Sequence, residues 1–529
     1  MGLRRLVSNL RRQVSQLLLR CDFQSPGAAS KGIGYLRPCQ RAKEGLLDTN
    51  YHDRQTPQFR VLSDRQIERL YLATLELLNR TGVDVLNAEA RDLLASTGAR
   101  VDGERVRIPP HVIQDAVATA PRTFTIWGRD GKHRIEAYPD RVYFGPGPTC
   151  TYFVDPETGE RRKTRRGDPG LTARVCDALD NIDYVMSLGL IGDVTPTLAP
   201  VYEFAEMIAN TGKPVLPWAY APAHVSDIYR MAVAVTGSEA AFRERPNIAL
   251  FSTFQSPLQH TDEDLGNVLW AAEHDIPIIY LGGGTAGATA PITGAGTLVI
   301  YLAGALSGLA IIQLKRRGAP VCIGGVPQAM DLRNGRPAYG SPEMSLYSAA
   351  AADISRYLGI PFMGTAGASE SKTLDIQAAI ESTMQVVLSG LSGATLVHDV
   401  GFLDCADIGS LESLIMNDEI IAMTRRIMRG IEINDETLML DQIDRVGPGG
   451  HFMAEPETAH LCRTEIWMPT LWDRDPYEVW ETTGAPTTRD RIRERLREIL
   501  ATHQPPPLPG GVLEQFEAIL QEAEAREGE

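Results

Sequence analysis

Basic charge, clustered cysteine and long apolar runs are all scarce in this chain. Its 52 Lys and Arg residues face 67 Asp and Glu residues, a net charge of −15. Such a surface repels phosphate backbones, which argues against a nucleic-acid partner. The densest basic stretch, Arg161-Arg162-Lys163-Thr164-Arg165-Arg166, reads as a solvated loop. Seven cysteines (21, 39, 150, 176, 322, 405, 462) show no CxxC spacing. That excludes a disulfide framework and a zinc cluster, and fits a reducing, cytoplasmic setting. Metal spacings of the HxH or HExxH kind are missing too. Neither GPGPTC (145–150) nor Gly282-Gly283-Gly284 has the pattern of a phosphate loop. A single run, TLVIYLAGALSGLAIIQL (297–314), has the length of a membrane span. Thr297, Tyr301, Ser307 and Gln313 interrupt it, so a buried helix and no membrane partner are expected. The basic start has only Leu17-Leu18-Leu19 as an apolar core, too short for a signal peptide. Residues 1–58 are expected to be a disordered extension.

What is present is organised. Ser63, with Gln66 three residues on, precedes the helical stretch IERLYLATLELLNRTG. Asp102-Gly103 marks a turn in RVDGERVRI, and two prolines open PPHVIQDAVATAP. FTIWGRDGKHRIEAYPD repeats the hairpin chemistry. Together these predict a small N-terminal α+β cap over 59–140. From 141 onward, eight short apolar runs alternate with helical segments: 142–148, 184–190, 214–221, 248–254, 276–283, 319–325, 360–367 and 394–401. Eight βα repeats predict an α/β chain built on a (β/α)8 TIM barrel over 141–430. A doubly wound open sheet is the alternative, and the missing phosphate loop counts against it. Residues 431–529 read as a C-terminal helical extension. Its last helices, RDRIRERLREILATH and VLEQFEAILQEAEA, are expected at the periphery, where they are also candidates for contacts in a homo-oligomer.

Chemistry in a barrel of this kind collects at the carboxyl ends of the strands. Those ends supply Tyr143, Phe144, Trp218, Tyr220, Phe251, Phe254, Tyr280, Gln328, Asp331, Arg333, Glu370, His398 and Asp399. Aromatics outnumber charges. Strand sides alternate, so some of these rings must point at helices.

Five blocks then carry a more specific signal. They are GSPE (340–343), GTAGASESKTLDIQA (364–378), HDVGFLD (398–404), the stretch from MNDEIIAMTRRIMRG to CRTEIWMP (416–469) and RDPYEVWE (474–481). Together they resemble the trimethylamine methyltransferase family, from about residue 60 to the C-terminus. The resemblance implies a (β/α)8 barrel, in agreement with the count of runs. It also implies that one methyl leaves a methylated amine for Co(I) of a separate corrinoid protein. The archaeal trimethylamine enzymes of the family carry pyrrolysine within or near the position of GTAGASESK, where Ala368, Ser369 and Glu370 stand here. Members without pyrrolysine include demethylases of glycine betaine, proline betaine, carnitine and γ-butyrobetaine, so a quaternary amine is the expected substrate. Trimethylamine or another methylamine is the alternative. The chain has no DxHxxG motif, and the corrinoid (cobalamin) is therefore expected on the partner protein and not on this chain.

A quaternary ammonium is already activated, because its leaving group is a neutral tertiary amine. The chain has to hold the cation, aim one methyl outward and exclude water. Phe144, Trp218, Tyr220, Phe254 and Tyr280 are the expected cage, each cation–π contact worth about 0.5–2 kcal/mol. A betaine carboxylate also needs a buried partner, for which His398 and Arg333 are available. His398 and Glu370 are the expected catalytic pair, Glu370 offsetting the ammonium charge. The plainer reading makes His398 a satisfied strand-end histidine and Glu370 a carboxylate favoured at a helix start. Two other functions compete. One is a metal-assisted hydrolase or lyase using His398, Asp399 and Glu370; the other is a non-enzymatic binder of quaternary amines.

Overall fold

The computed structural model describes residues 58–138 and 141–528. The expected extension, apart from Gln58, lies outside the described residues. Six of the apolar runs form one parallel sheet, in the order Tyr143–Phe144, Leu396–His398, Phe362–Thr365, Val321–Gly325, Ile278–Gly282, Leu250–Thr253. The second and third runs attach through isolated parallel pairings, Val185 with Val215 and Val215 with Ile248. Asp183 N donates to Phe144 O at 2.7 Å and Leu188 N to Gly147 O at 2.8 Å, which ties the second run to the first. The fold is mixed α/β with a parallel sheet at its centre.

Both faces of these runs are buried, and that explains why they read as continuous apolar stretches. One face collects Tyr184, Met186, Leu216, Ala249, Phe251, Ile279, Leu281, Cys322, Met363 and Leu396 into an inner cluster. The residues one position away, among them Val185, Val215, Leu250, Ile278, Tyr280, Ile323 and Val397, belong to the larger cluster shared with the helices. A period of two separates the faces.

Local chemistry starts and stops the intervening helices. Thr293, Ser341, Asp375 and Ser410 each accept a backbone N–H at the first turn of the helix that follows. Helices Pro342–Leu358 and Ile376–Ser392 end on Gly359 and Gly393 at φ 71° and 76°, the left-handed cap that glycine adopts without strain. The long apolar helix, Gly294–Lys315, is long and apolar enough to cross a membrane, but 78% of its apolar window is buried inside the protein. Its Gly304 and Gly308 lie against the rings of Phe254 and Tyr280, where a Cβ would overlap them.

The segment foreseen as a cap contributes to this core. Ser63 and Gln66 form a capping box on helix Asp64–Arg80. Strand Val83–Val85 pairs in parallel with Gln259–His260, after the fourth run. Hairpin Phe124–Trp127 with Arg134–Ala137 places Phe124, Ile126, Ile135 and Ala137 in the inner cluster, beside Tyr143. Trp127 N donates to Pro246 O at 2.7 Å and Asp130 N to Gly212 O at 3.3 Å. Both acceptors precede strand runs, so the hairpin covers the amino-terminal ends of the sheet and leaves the carboxyl ends on the other side.

The last two helices are not the loose ones. Thr488–Thr502 buries Ile492, Leu496 and Ile499, and Val512–Glu527 buries Phe516, Ile519 and Leu520, all within the main core. The more superficial part lies before them, where Pro456–Glu465 and Tyr477–Thr482 bury no residue.

Candidate active site at the carboxyl ends of the parallel runs

His398 is the last residue of the strand Leu396–His398 within the eighth run, and its backbone O accepts from Ala366 N at 3.0 Å. Its ring is buried, with the centroid 5.8 Å from that of Phe251 on the inner face. Nδ1 lies 3.4 Å from Asp399 Oδ2, within charge-attraction distance but without hydrogen-bond alignment. Among the described residues it has no hydrogen-bond partner. A buried polar nitrogen in that condition is costly unless something else meets it.

Asp399 turns the chain at φ 76° and is itself buried. Thr365 Oγ1 donates to its Oδ2 at 2.6 Å. Burial holds its carboxyl above the usual range, while His398 and Thr365 pull it back. The GPGP stretch makes room for this corner. A Cβ on Gly147 would collide with Asp399 Oδ1, and one on Gly145 with the ring of Tyr184. Tyr184 lies on the inner face and donates its hydroxyl to Val397 O at 2.8 Å.

On the third run, Trp218 packs against the inner cluster and meets Tyr220 edge to face, centroids 4.6 Å apart at 80°. Tyr220 is 41% exposed, so this pair runs from the inner cluster to the solvent. Trp218 Nε1 donates to Glu203 Oε2 at 2.9 Å. Glu203 was not among the residues expected from sequence. It sits in helix Ala199–Ala209 and is fully buried. The only signal was in PVYEFAEMIA, where Glu203 stands between Tyr202 and Phe204 while Glu206, three residues on, pairs with Arg166.

The other expected residues lie elsewhere. Phe144, Phe254 and Tyr280 were placed in the cage, but all three belong to the helix-facing core. The cause is alternation: Tyr143, Ile279 and Leu281, one step away, take the inner positions. Phe254 and Tyr280 fill the grooves over Gly304 and Gly308. Arg333 was expected to read a carboxylate. It stands in an exposed turn, its side chain 90% accessible, with its guanidinium paired to Asp331 at 2.6 Å. The short spacing within that turn favours the local pair over any reach inward. Glu370 is half-buried and accepts Gly340 N at 3.2 Å, while its own N donates to Glu381 Oε2 at 2.8 Å. It joins the GSPE and GTAGASE blocks to each other. A cavity of about 280 Å³ bordered by Arg161, Lys372, Leu374 and Arg489 includes none of the inner aromatics.

Trp218, Tyr220, Phe251 and His398 therefore all come from the third, fourth and eighth runs of one parallel α/β framework. That framework, with aromatic and ionisable side chains at its strand ends, puts the chain in the parallel-sheet α/β class of folds. Comparison with known proteins narrows the class. The family model for trimethylamine methyltransferase (MTTB) matches residues 36–527, and the chain belongs to that family of methyltransferases. It is 33% identical over 468 residues to the trimethylamine methyltransferase MttB of Desulfitobacterium hafniense, covering 88% of this chain and 94% of that one. A glycine betaine methyltransferase, also from Desulfitobacterium hafniense, is 28% identical over 89% of this chain and 99% of its own length. Among solved structures, the monomethylamine methyltransferase MtmB of Methanosarcina barkeri aligns at a TM-score of 0.49 and 13% identity, covering 84% of this chain and 89% of that one.

Proposed function

We propose that this chain moves a methyl group from a quaternary amine, a betaine being the fitting class, to the Co(I) corrinoid of a partner protein. The carrying observation is the buried His398 Nδ1 without a partner, on the same sheet ends as the Trp218–Tyr220 pair. Rings that run from the core to the surface suit an ammonium that must be held dry yet within reach of a second protein. A carboxylate on the same substrate would meet the unpartnered nitrogen, with Asp399 close enough to orient the imidazole. The methyl acceptor is delivered from outside in this reading. An arriving group fits that geometry, since Tyr220 is exposed and the hairpin occupies the opposite ends of the runs. The partner's corrinoid supplies the nucleophile: a carbon–cobalt bond forms as the C–N bond breaks, and nitrogen keeps the electron pair and leaves as a neutral tertiary amine. The residues of this chain bind, aim and exclude water; no proton has to move for the amine to depart. We further infer that the eight runs close into a (β/α)8 barrel, a reading supported by the pairings at Val185 and Val215.

Trimethylamine is the second reading, favoured by the name of the relative at 33% identity. One experiment separates them. The chain is mixed with a reduced corrinoid protein and glycine betaine, proline betaine, carnitine, γ-butyrobetaine or trimethylamine, and methylation is followed by absorbance. Methylation from at least one quaternary amine is expected. Methylation from trimethylamine alone moves the assignment to the second reading, and silence across the panel overturns both.

A further inference from the structure

We infer that Glu203 is the counter-charge of the ammonium subsite, a carboxylate at the Nε1 edge of Trp218 that the substrate's cation completes. The inference rests on the quaternary-amine reading and adds the residue that would set its charge selectivity. Glu203 is fully buried in helix Ala199–Ala209. Its Oε2 accepts Trp218 Nε1 at 2.9 Å and its Oε1 accepts Ile191 N at 3.1 Å. The groups that face it come from two other elements. The second run and the residue just after it contribute Ser187 and the Ile191 amide, and the third contributes Trp218 and Tyr220, the one titratable group among them. Neighbours on its own helix are engaged elsewhere, Tyr202 with Glu524 and Glu206 with Arg166. None of the influences on Glu203 comes from a lysine, arginine or histidine.

A buried carboxylate hydrogen-bonded to an aromatic N–H, with no basic residue answering it, is incomplete as an ion pair. Its position at the Nε1 edge of the indole says what completes it. A cation resting on the ring face would feel the charge of that edge-bound carboxylate across a dry, low-dielectric site. The charged form of Glu203, pulling on Nε1–H, in turn makes that face more electron-rich. Burial pushes the Glu203 carboxyl up to about 8, so at neutral pH it is mostly protonated without ligand. The cation favours the charged form, and binding must therefore expel a proton below that pH. Tyr220 stays protonated throughout, since burial and Glu203 both hold its phenol above the ordinary range.

The test is calorimetric titration of the full chain with tetramethylammonium and with glycine betaine at pH 6.5 and pH 9, each in two buffers of different ionisation enthalpy. Release of close to one proton per ligand is expected at pH 6.5 and of little at pH 9, with affinity higher by about tenfold or more at pH 9. Glu203→Gln, which keeps an acceptor for the indole, should bind without proton release, show no pH dependence, and fall below wild type at pH 9. Wild-type binding with flat affinity and no proton release overturns the role of Glu203 while leaving the quaternary-amine reading intact. A Glu203→Gln chain with wild-type affinity at pH 9 does the same. Failure of both ammonium ligands to bind at either pH overturns the quaternary-amine reading and this inference with it.

Discussion

At the scale of single residues, two buried titratable groups set opposite pH slopes on stability. His260 is fully buried, its Nδ1 2.8 Å from the Tyr280 hydroxyl and its Nε2 2.8 Å from Ser307 Oγ. Ser307 already donates to Ala303 O at 2.7 Å, so its oxygen accepts from Nε2–H and Nδ1 is left to accept from Tyr280. Burial lowers the His260 pKa from 6.5 to about 4. Between those values the unfolded chain binds the extra proton, so stability is fully present above about 6.5 and is lost as pH falls toward 4. The loss amounts to about 3 kcal/mol. Urea unfolding at pH 7 and pH 4.5 should show a shallower decline in His260→Gln than in wild type; parallel declines would mean that His260 titrates normally. Glu203 acts the other way. Its raised folded pKa means that stability falls as pH rises from about 4.5 to about 8, and Glu203→Gln should remove that fall. His398 and Trp218 give a third residue-scale expectation. Trp218→Ala should raise KM for every quaternary amine by about tenfold, roughly one strong cation–π contact. His398→Ala should raise it mainly for betaines and spare tetramethylammonium. Equal losses for both classes would make His398 a structural residue. Of this site, His398 was legible because the apolar start of the eighth run, Leu396-Val397, gives way to it. Which aromatics face inward was not. A run such as IPIIYLGG is apolar at every position and carries no alternation to read, because both of its faces are buried.

Elements are placed by close approach as much as by propensity. Alanine in a helix interior is better than glycine by about 1 kcal/mol, so propensity alone predicts that Gly308→Ala stabilises. A Cβ there would overlap the Tyr280 ring, and overpacking of this kind costs about 1–3 kcal/mol. The clash should win: Gly308→Ala is expected to lower unfolding free energy by up to about 2 kcal/mol net, measured by chemical denaturation. A stabilised variant would show that helix Gly294–Lys315 does not depend on this contact. The same packing explains what the sequence revealed of the elements. Caps, glycine stops and the eight apolar runs are local chemistry, and they announced most helices and the parallel sheet in advance. The Val83–Val85 pairing with Gln259–His260 and the Trp127–Pro246 bond of the hairpin join residues more than a hundred positions apart, and no local pattern encodes such contacts.

Across the whole molecule, the C-terminal helix is built as a latch on the half of the fold that carries Trp218. Helix Val512–Glu527 buries Phe516, Ile519 and Leu520, each worth about 1.5–3 kcal/mol of apolar burial. Polar ties reinforce it. Glu524 accepts Thr195 Oγ1 at 2.7 Å and the Tyr202 hydroxyl at 2.9 Å, and Arg526 pairs with Asp227 at 2.5 Å. Tyr202 precedes Glu203, and Glu203 holds the Trp218 indole, so the chain's last helix reaches the aromatic pair through two side-chain bonds. Deleting residues 510–529 should therefore do two separable things. Loss of apolar burial lowers the melting temperature, and loosening of helix Ala199–Ala209 weakens quaternary-amine binding. Glu524→Ala isolates the second effect, because it removes the two hydroxyl bonds and keeps Phe516, Ile519 and Leu520 in place. It should lower unfolding free energy by only about 1–2 kcal/mol, the size of two part-exposed hydrogen bonds, yet raise the dissociation constant for glycine betaine several-fold. Thermal melts and calorimetry on the two variants decide the matter. An unchanged dissociation constant in both would confine the helix to a stabilising role with no connection to the site.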